Sequence, residues 1–516
     1  MQYPETILTK RHRTFGSPDK NHKSLLLYGS FVVIFIFSVL KFIYPFPNFM
    51  PPDSDSYIHA AKENLDINFW PIGYSKFLRL VSSFTTSDDI VVWLQYILLQ
   101  ASTFYLLFTF RYFLKPAPKV FNIIFWSTVL NPAIPLISNY ISSDSLFISL
   151  TLIWIAQLWR ILYKPSPTNI YANILVVLFA FMTRYNAIYY PIVSTVIILS
   201  SKSKWKVKAG SIIVLATTIG YFIDSTIEQY KEETHTIEFS AFSGWQLASN
   251  SLYGYAHEKE IPIESVPVNL QPLQAIVKRN LDSLNKIPWG QRPDNDPYLY
   301  YFWNSHSPLE EYSYYNETMD SVEGEFKRWA RQGSIYTSYG LFILKEKPIS
   351  YLKYFAIPNL IKYYTPPAAF MGYYNMQSTE VNKEIAHWFY WKNNHLTTRS
   401  SGLRIGITRY LSIAFSILNI LYLIGFASTI LLEGSVKWGS IDKISKVCFF
   451  LWLANIIFSV FTAPIELRYQ ISWMIILSPL TYLYMETLIY RSFSTGTLNN
   501  KPIASNSSAT FTFRKN

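Results

Sequence analysis

The chain has 516 residues, 50% of them apolar, 18% aromatic and only 15% charged. A soluble protein carries about 25% charged residues, so lipid must solvate much of this one. The net charge of +12 comes with no zinc-ligand spacing, RNA-binding signature or glycine-rich phosphate loop, which sets nucleic acid aside as a partner. The single cysteine, Cys448, excludes an intramolecular disulfide.

In chain order, the polar lead 1–23 is long and the apolar run after it exceeds a signal-peptide core, so the two are expected to be a cytoplasmic tail and a retained first span. Ten apolar runs follow the length a bilayer core demands: roughly 24–44, 90–113, 120–138, 144–163, 168–184, 187–201, 208–224, 406–432, 444–463 and 470–490. Only helices can cross hydrocarbon here, because lipid offers no partner to unpaired backbone groups. The expected fold is therefore an all-α polytopic membrane protein of about ten transmembrane helices. Residues 24–224 form its first part, with seven spans and a first external loop at 45–89. Residues 225–405 form an external domain, mixed or mainly helical and rich in Tyr and Trp. Residues 406–490 hold the last three spans, and the Ser/Asn/Thr-rich 491–516 reads as a disordered cytoplasmic tail.

With the N-terminus inside, the inner segments carry 21 Lys and Arg and the short external segments five. That bias sets the orientation, with both termini cytoplasmic and 225–405 outside. Without a disulfide, the external domain is expected to lean on the membrane domain. In its later part, 345–364, the residues Ile349, Leu352, Phe355 and Ala356 recur at helical spacing between lysines and tyrosines. This suits either a helix lying in the membrane interface or an ordinary surface helix.

The topology gathers charge on one face. Asp53 and Asp55 lie in the first external loop, Asp144 at the outer start of the fourth span, Arg184 in the next external turn and Arg468 in the last one. Ionisable groups at the membrane edge are costly and mark function by default. Each also has a plain explanation: helix-starting acids, an arginine reaching to headgroups, and a local Arg468–Glu466 pair. Taken together they carry a chemistry. A carboxylate takes a proton from an attacking hydroxyl or amine, and an arginine holds a phosphate in a two-point contact. Such a site at the lipid boundary suits a donor with a lipid tail and a phosphate head, with Trp70, Tyr189 and Tyr190 as candidate stacking surfaces for a sugar. His59 follows Asp55 by four residues, on the same face of a helix, so Asp55, His59 and Asp144 are the candidates for a divalent metal.

The segments PDSDSYIHAA (52–61), WPIGYSKFL (70–78), SDSLF (143–147), TRYNAIYYP (183–191) and ELRYQ (466–470), in that order, resemble the GT-C superfamily of polytopic glycosyltransferases. The closer likeness is to the protein-mannosyltransferase-like and aminoarabinose-transferase-like branch, in an uncharacterised bacterial form. It runs through all the spans and is weak in 225–405. The resemblance implies a polyprenyl-phosphate sugar donor, a lipid, glycan or protein acceptor, transfer with inversion on the non-cytoplasmic side, and a plasma-membrane location. It also implies that the first-loop acid is the base. The family's tyrosine four residues later matches Asp53 and Tyr57, and Asp144 matches a second-loop acid that helps hold a metal or the acceptor. Where many relatives have a second acid directly after the first, this chain has Ser54, with Asp55 one further on. The division of labour between Asp53 and Asp55 stays open, and Tyr57, Asp144, Arg184, Tyr185, Arg468 and Tyr469 are the expected substrate-binding set. A ligase or polymerase of lipid-linked glycans would use the same face without such an acid-rich first loop. A transporter would show paired halves and Gly/Pro-broken helices at mid-membrane, which the chain lacks.

Topology is directly testable. Single cysteines placed within 225–405 of a Cys448→Ala chain are expected to react with a membrane-impermeant thiol reagent added from outside. Reaction from the cytoplasmic side alone would put the acids on the wrong face.

Overall fold

The computed structural model describes residues 20–315, 324–432 and 443–499. Among them the regular structure is helical, with two isolated β-bridges. α1 (Lys20–Ile43) is peripheral and leaves Leu27, Phe31, Phe35 and Phe42 open to lipid. The loop 45–89, expected to be external, folds as α2 (Asp53–Lys62) and α3 (Gly73–Ser82). The membrane part continues with α4 (Asp88–Leu114), α5 (Pro118–Val129), α6 (Ala133–Ser138), α7 (Ser143–Tyr163), α8 (Pro167–Thr183), α9 (Tyr190–Ser200) and α10 (Trp205–Thr234). α7 is central, packed on α4, α8 and α9.

The external domain holds α11 (Ala241–Tyr255), α12 (Gln271–Leu284), the short α13 (Tyr300–Trp303), α14 (Pro308–Tyr315) and α15 (Glu325–Arg331), then α16 (Gly333–Glu346), α17 (Pro348–Tyr351), α18 (Ile357–Tyr364) and α19 (Lys383–Trp388). α20 (Leu403–Leu432), α21 (Lys443–Thr462) and α22 (Leu467–Asn499) return to the membrane.

Among the described residues, seven helices are long and apolar enough to span a bilayer. They match seven of the ten expected runs. α8 and the segment Tyr185–Ser200 are apolar but shorter. α22 takes the tenth position, yet it carries Arg468, Gln470, Pro479 and Glu486 and is not among the seven. The third of the seven, expected over 120–138, is α5 and α6 counted together, with a turn at Asn131 and Pro132 between them. α22 runs to Asn499, so 491–499 are helical rather than part of a disordered tail. Residues 1–19 and 500–516 of the two expected tails lie outside the described residues.

The 225–405 segment, expected to be external, bonds to the end of α21. The last carbonyls of α21 have no helical partner, and side chains of the external domain supply them. Asn250 donates to the Thr462 carbonyl at 2.9 Å, Tyr351 to Phe461 at 2.7 Å, and Asn359 to Val460 at 3.2 Å and Ala463 at 3.1 Å. The 345–364 stretch is helical but not uniform. A π-turn over Leu352–Ala356 joins α17 to α18. A π-turn takes in an extra residue and rotates the face, so the four apolar residues expected on one side are split. Phe355 and Ala356 are buried, while Ile349 and Leu352 join Ile357, Leu360 and Ile361 in an uncovered apolar stripe. Such a stripe is what an interfacial helix presents to lipid.

Two contacts set the first loop. Asn48 forms a bridge with Tyr140: its N–H donates to the Asn139 carbonyl at 2.7 Å, and its carbonyl accepts from Ile141 at 3.0 Å. α3 then closes against the end of α8. A Cβ on Gly73 would sit 2.6 Å from the Met182 carbonyl oxygen and 3.0 Å from the Thr183 nitrogen, so this approach needs a glycine. Gly73→Ala is expected to cost about 1–3 kcal/mol through overpacking against backbone. Gly210→Ala, in open space, should be neutral or slightly stabilising. Thermal melting of the two purified variants distinguishes them.

Candidate functional site

The bridge at Asn48 brings the loop before α2 beside the loop before α7. Ser54 locks the pair: its hydroxyl accepts from the Met50 N–H at 2.8 Å and donates to the Ile141 carbonyl at 2.8 Å. Ser54 is thus a buried tie between two loops. It sets Asp53 and Asp144 side by side on the first turns of α2 and α7.

Asp144 is 4% exposed at its side chain and bonded on both oxygens. Arg184 donates to Oδ1, while Ser142 donates to Oδ2 at 3.1 Å and Arg468 to Oδ2 at 3.3 Å. Arg468 is the hub. Its Nε donates to Glu466 at 2.7 Å, its Nη2 to the Tyr469 hydroxyl at 2.8 Å, and its Nη1 is shared between Asp144 and Asp53 Oδ2, each at 3.3 Å. Arg184 also lies over the Tyr469 ring, 5.1 Å from its centre. Tyr57 donates to Ser143 at 2.9 Å, and Ser143 in turn accepts from Arg184 at 3.4 Å. Asp53, Tyr57, Arg184, Tyr185, Arg468 and Tyr469 all open on one cavity of about 750 Å³ between the membrane part and the external domain.

The cluster pairs three carboxylates, Asp53, Asp144 and Glu466, with two guanidiniums. Asp53 is the acid that yields. Burial raises its pKa to about 6, the Asp144 charge adds to the rise, and Arg468 opposes it. The 3.3 Å contact to Arg468 is longer than the roughly 2.7–2.9 Å of a strong charge-assisted hydrogen bond. This carboxyl is therefore held loosely and titrates close to neutrality, as a general base requires.

Two expectations need correcting. Asp55 does not join Asp53. Two residues on along a helix, it faces away, toward Asn382 and Glu384 of the α19 region, and burial raises its pKa there. The candidate metal ligands also separate. His59 pairs with Glu384 at 3.2 Å, Asp55 sits by Asn382, and Asp144 is held by the two arginines. Among the described residues no group of three His, Cys, Asp or Glu is placed to hold a metal.

The candidate stacking residues part as well. Trp70 lines the cavity with Phe242, Phe302 and Trp303, whereas Tyr190 is stacked on Trp154 at 3.8 Å inside the bundle and Tyr189 packs on Phe458. No lysine of 345–364 reaches the cavity: Lys362 pairs with Asp296 and Lys347 with Glu258. Sequence reasoning set Glu466 aside as a local partner of Arg468. Its other oxygen accepts from the Tyr298 hydroxyl at 3.0 Å, which ties the external domain into the cluster. Only the spacing in ELRYQ hinted at Glu466, and nothing in the sequence singled out Tyr298. Arg404 was also missed. It is fully buried beneath Tyr44 and Tyr140, 4.6 and 5.1 Å from their ring centres.

No protein-family model matches the chain, and no curated protein matches it. Among solved structures, the chain is similar to ArnT from Cupriavidus metallidurans bound to undecaprenyl phosphate, at 10% identity over 90% of this chain and 78% of that one, with a TM-score of 0.34. The apo form of that protein aligns at 11% identity over 91% and 78%, with a TM-score of 0.31. At these scores the likeness carries no weight of its own, and the functional reading rests on the side chains above.

The raised pKa of Asp53 has a consequence for stability. A carboxyl at about 6 in the fold and 3.8 outside it favours folding while neutral, and that contribution is lost as pH rises through 6. Ionised, it costs about 1–3 kcal/mol. Asp53→Asn is therefore expected to melt about 1–3 °C above the parent at pH 8, with a smaller gap at pH 4.5 that closes below 3.8. Equal melting at both pH values would mean a solvated loop acid.

Proposed function

We propose that this chain is an integral-membrane glycosyltransferase that moves a sugar from a polyprenyl-phosphate donor to an acceptor hydroxyl or amine at the outer face of the membrane. One observation supports it above all. Asp53, Arg184 and Arg468, from three distant parts of the sequence, meet on the wall of one cavity at the membrane edge.

The roles follow from the charges. Arg184 and Arg468 bind the donor phosphate in place of part of their carboxylate contacts. Of its two long contacts Arg468 gives up the one to Asp53 first, because Asp53 opens on the cavity and Asp144 does not. Released from its counter-charge and beside a phosphate anion, Asp53 becomes the stronger base. The acceptor oxygen or nitrogen attacks the anomeric carbon and its proton passes to Asp53. The bond from that carbon to the phosphate oxygen breaks with its electron pair going to that oxygen, and the two arginines hold the lipid phosphate that leaves. Attack from the face opposite the leaving group inverts the anomeric centre. Trp70, Phe302 and Trp303 offer flat apolar walls for sugar faces, and Tyr57 and Tyr469 hold the serine and arginine partners in place.

The experiment is turnover of labelled polyprenyl-phosphate sugars by the purified, reconstituted chain, read as release of lipid phosphate. Asp53→Asn should lower kcat by about 10²–10⁴-fold with donor affinity near that of the parent. Arg468→Ala and Arg184→Ala should weaken donor use by about 1.5–3 kcal/mol. kcat/KM should rise with pH through about 6, the pKa of Asp53 in the free chain. Parental rates in all three variants would defeat the assignment.

A further inference from the structure

α11 turns one side to α16 and another to the cavity of the Asp53 cluster. The packed side is close. A Cβ on Gly340 of α16 would stand 2.9 Å from the Ala248 nitrogen, so the helix is pinned in place. On the cavity side lie Phe242, Ser243, Gln246 and Asn250, at the three- and four-residue spacing of one helix face. Phe242 belongs to the aromatic wall, its ring centre 4.9 Å from that of Trp70 and 4.9 Å from that of Phe302. Gln246 stands one turn further along.

The two carboxamides form a relay with a fixed direction. Asn250 Nδ2 donates to the Thr462 carbonyl at the end of α21, at 2.9 Å. A main-chain carbonyl only accepts, so this contact decides which way round the Asn250 amide stands and leaves its Oδ1 to accept. Gln246 meets that oxygen with Nε2 at 2.8 Å. The Gln246 amide is oriented in turn, with Oε1 as its remaining acceptor. Bracing Asn250 is the plain task of Gln246, and a donor alone would serve it. What exceeds that task is the place of Gln246 on the cavity wall, partly buried, beside the exposed hydroxyl of Ser243 and one turn from an aromatic face. An apolar wall edged by a few oriented polar groups is how a pocket fixes a ligand's orientation. A sugar matches this pair, with C–H faces for the rings and hydroxyls at its rim.

We infer that Gln246 and Ser243 read a hydroxyl of the transferred sugar, Gln246 Oε1 accepting from it while the sugar ring lies against Phe242 and Trp70. The inference rests on the transferase reading and adds to it a place in the 225–405 segment where the sugar is selected.

Binding to the detergent-purified full chain, with no acceptor present, tests it. The probes are bare polyprenyl phosphate, the mannose, glucose, galactose and arabinose forms, and mono-deoxy versions of the tightest. The parent should bind one sugar form more tightly than the bare lipid. Gln246→Met should cut that preference about tenfold, as loss of one neutral hydrogen bond does, and leave the affinity for bare polyprenyl phosphate as it was. Ser243→Ala, at an exposed position, should cut it less and serves if Gln246→Met does not fold. The deoxy donor lacking the read hydroxyl should bind parent and Gln246→Met alike. A preference unchanged in both variants, or no preference in a parent that binds the bare lipid, overturns the subsite and leaves the transferase reading standing. An unchanged preference with a raised KM for acceptor overturns the sugar as source and gives the hydroxyl to the acceptor. A parent that binds none of these lipids defeats the transferase reading, and the subsite with it.

Discussion

Asp144 buries a charge at the mouth of a membrane bundle, and the arrangement of this end of the bundle depends on satisfying it. A buried carboxylate is costly unless it is paired and fully hydrogen-bonded. Here Ser142, Arg184 and Arg468 share its two oxygens. Those partners come from the start of α7, the end of α8 and the start of α22, so three helix ends are drawn to one point. Removing either arginine would leave the acid short of a partner, and removing the acid would leave two guanidiniums facing each other. The site is pre-assembled because the charge balance requires it.

The same balance leaves Asp53 short. Arg468 has two other acids to serve, Glu466 at 2.7 Å and Asp144 at 3.3 Å. Burial, which the shared Arg468 offsets only in part, makes Asp53 keep a proton to a higher pH than a solvated acid would. A cluster with more acids than cations has one carboxyl able to change state, and that carboxyl opens on the cavity. Tyr298, through Glu466, links the external domain to this balance, so the lid of the cavity and its charges are set together.

Much of this was legible in the sequence. Apolar runs of bilayer length marked the helices because lipid leaves no other backbone solution, and the motif residues Asp53, Tyr57, Asp144, Arg184, Arg468 and Tyr469 do meet. The rest was hidden for physical reasons. Asp55 is close to Asp53 in sequence, but two residues along a helix turn a side chain about 200° away. The face of 345–364 was misread because a π-turn shifts the period that pattern reading assumes. Glu466 looked like a local partner because its second contact, Tyr298, lies far back in the chain. Tyr189 and Tyr190 carry the same composition signal as Trp70, and only packing decides which ring faces a cavity. Arg404 has no charged neighbour in sequence and is visible only once Tyr44 and Tyr140 fold over it.

The central claim is that two arginines now spent on carboxylates are the seat of a lipid phosphate, with Asp53 freed as it binds. A structure of the chain with polyprenyl phosphate bound tests this most directly. The account predicts the phosphate within hydrogen-bond distance of both Arg184 and Arg468. Arg468 should then stand clear of Asp53, with its hydrogen bond to Asp144 at least partly kept. A phosphate bound elsewhere, with Arg468 still bonded to Asp53, Asp144 and Glu466 as it is now, would contradict it.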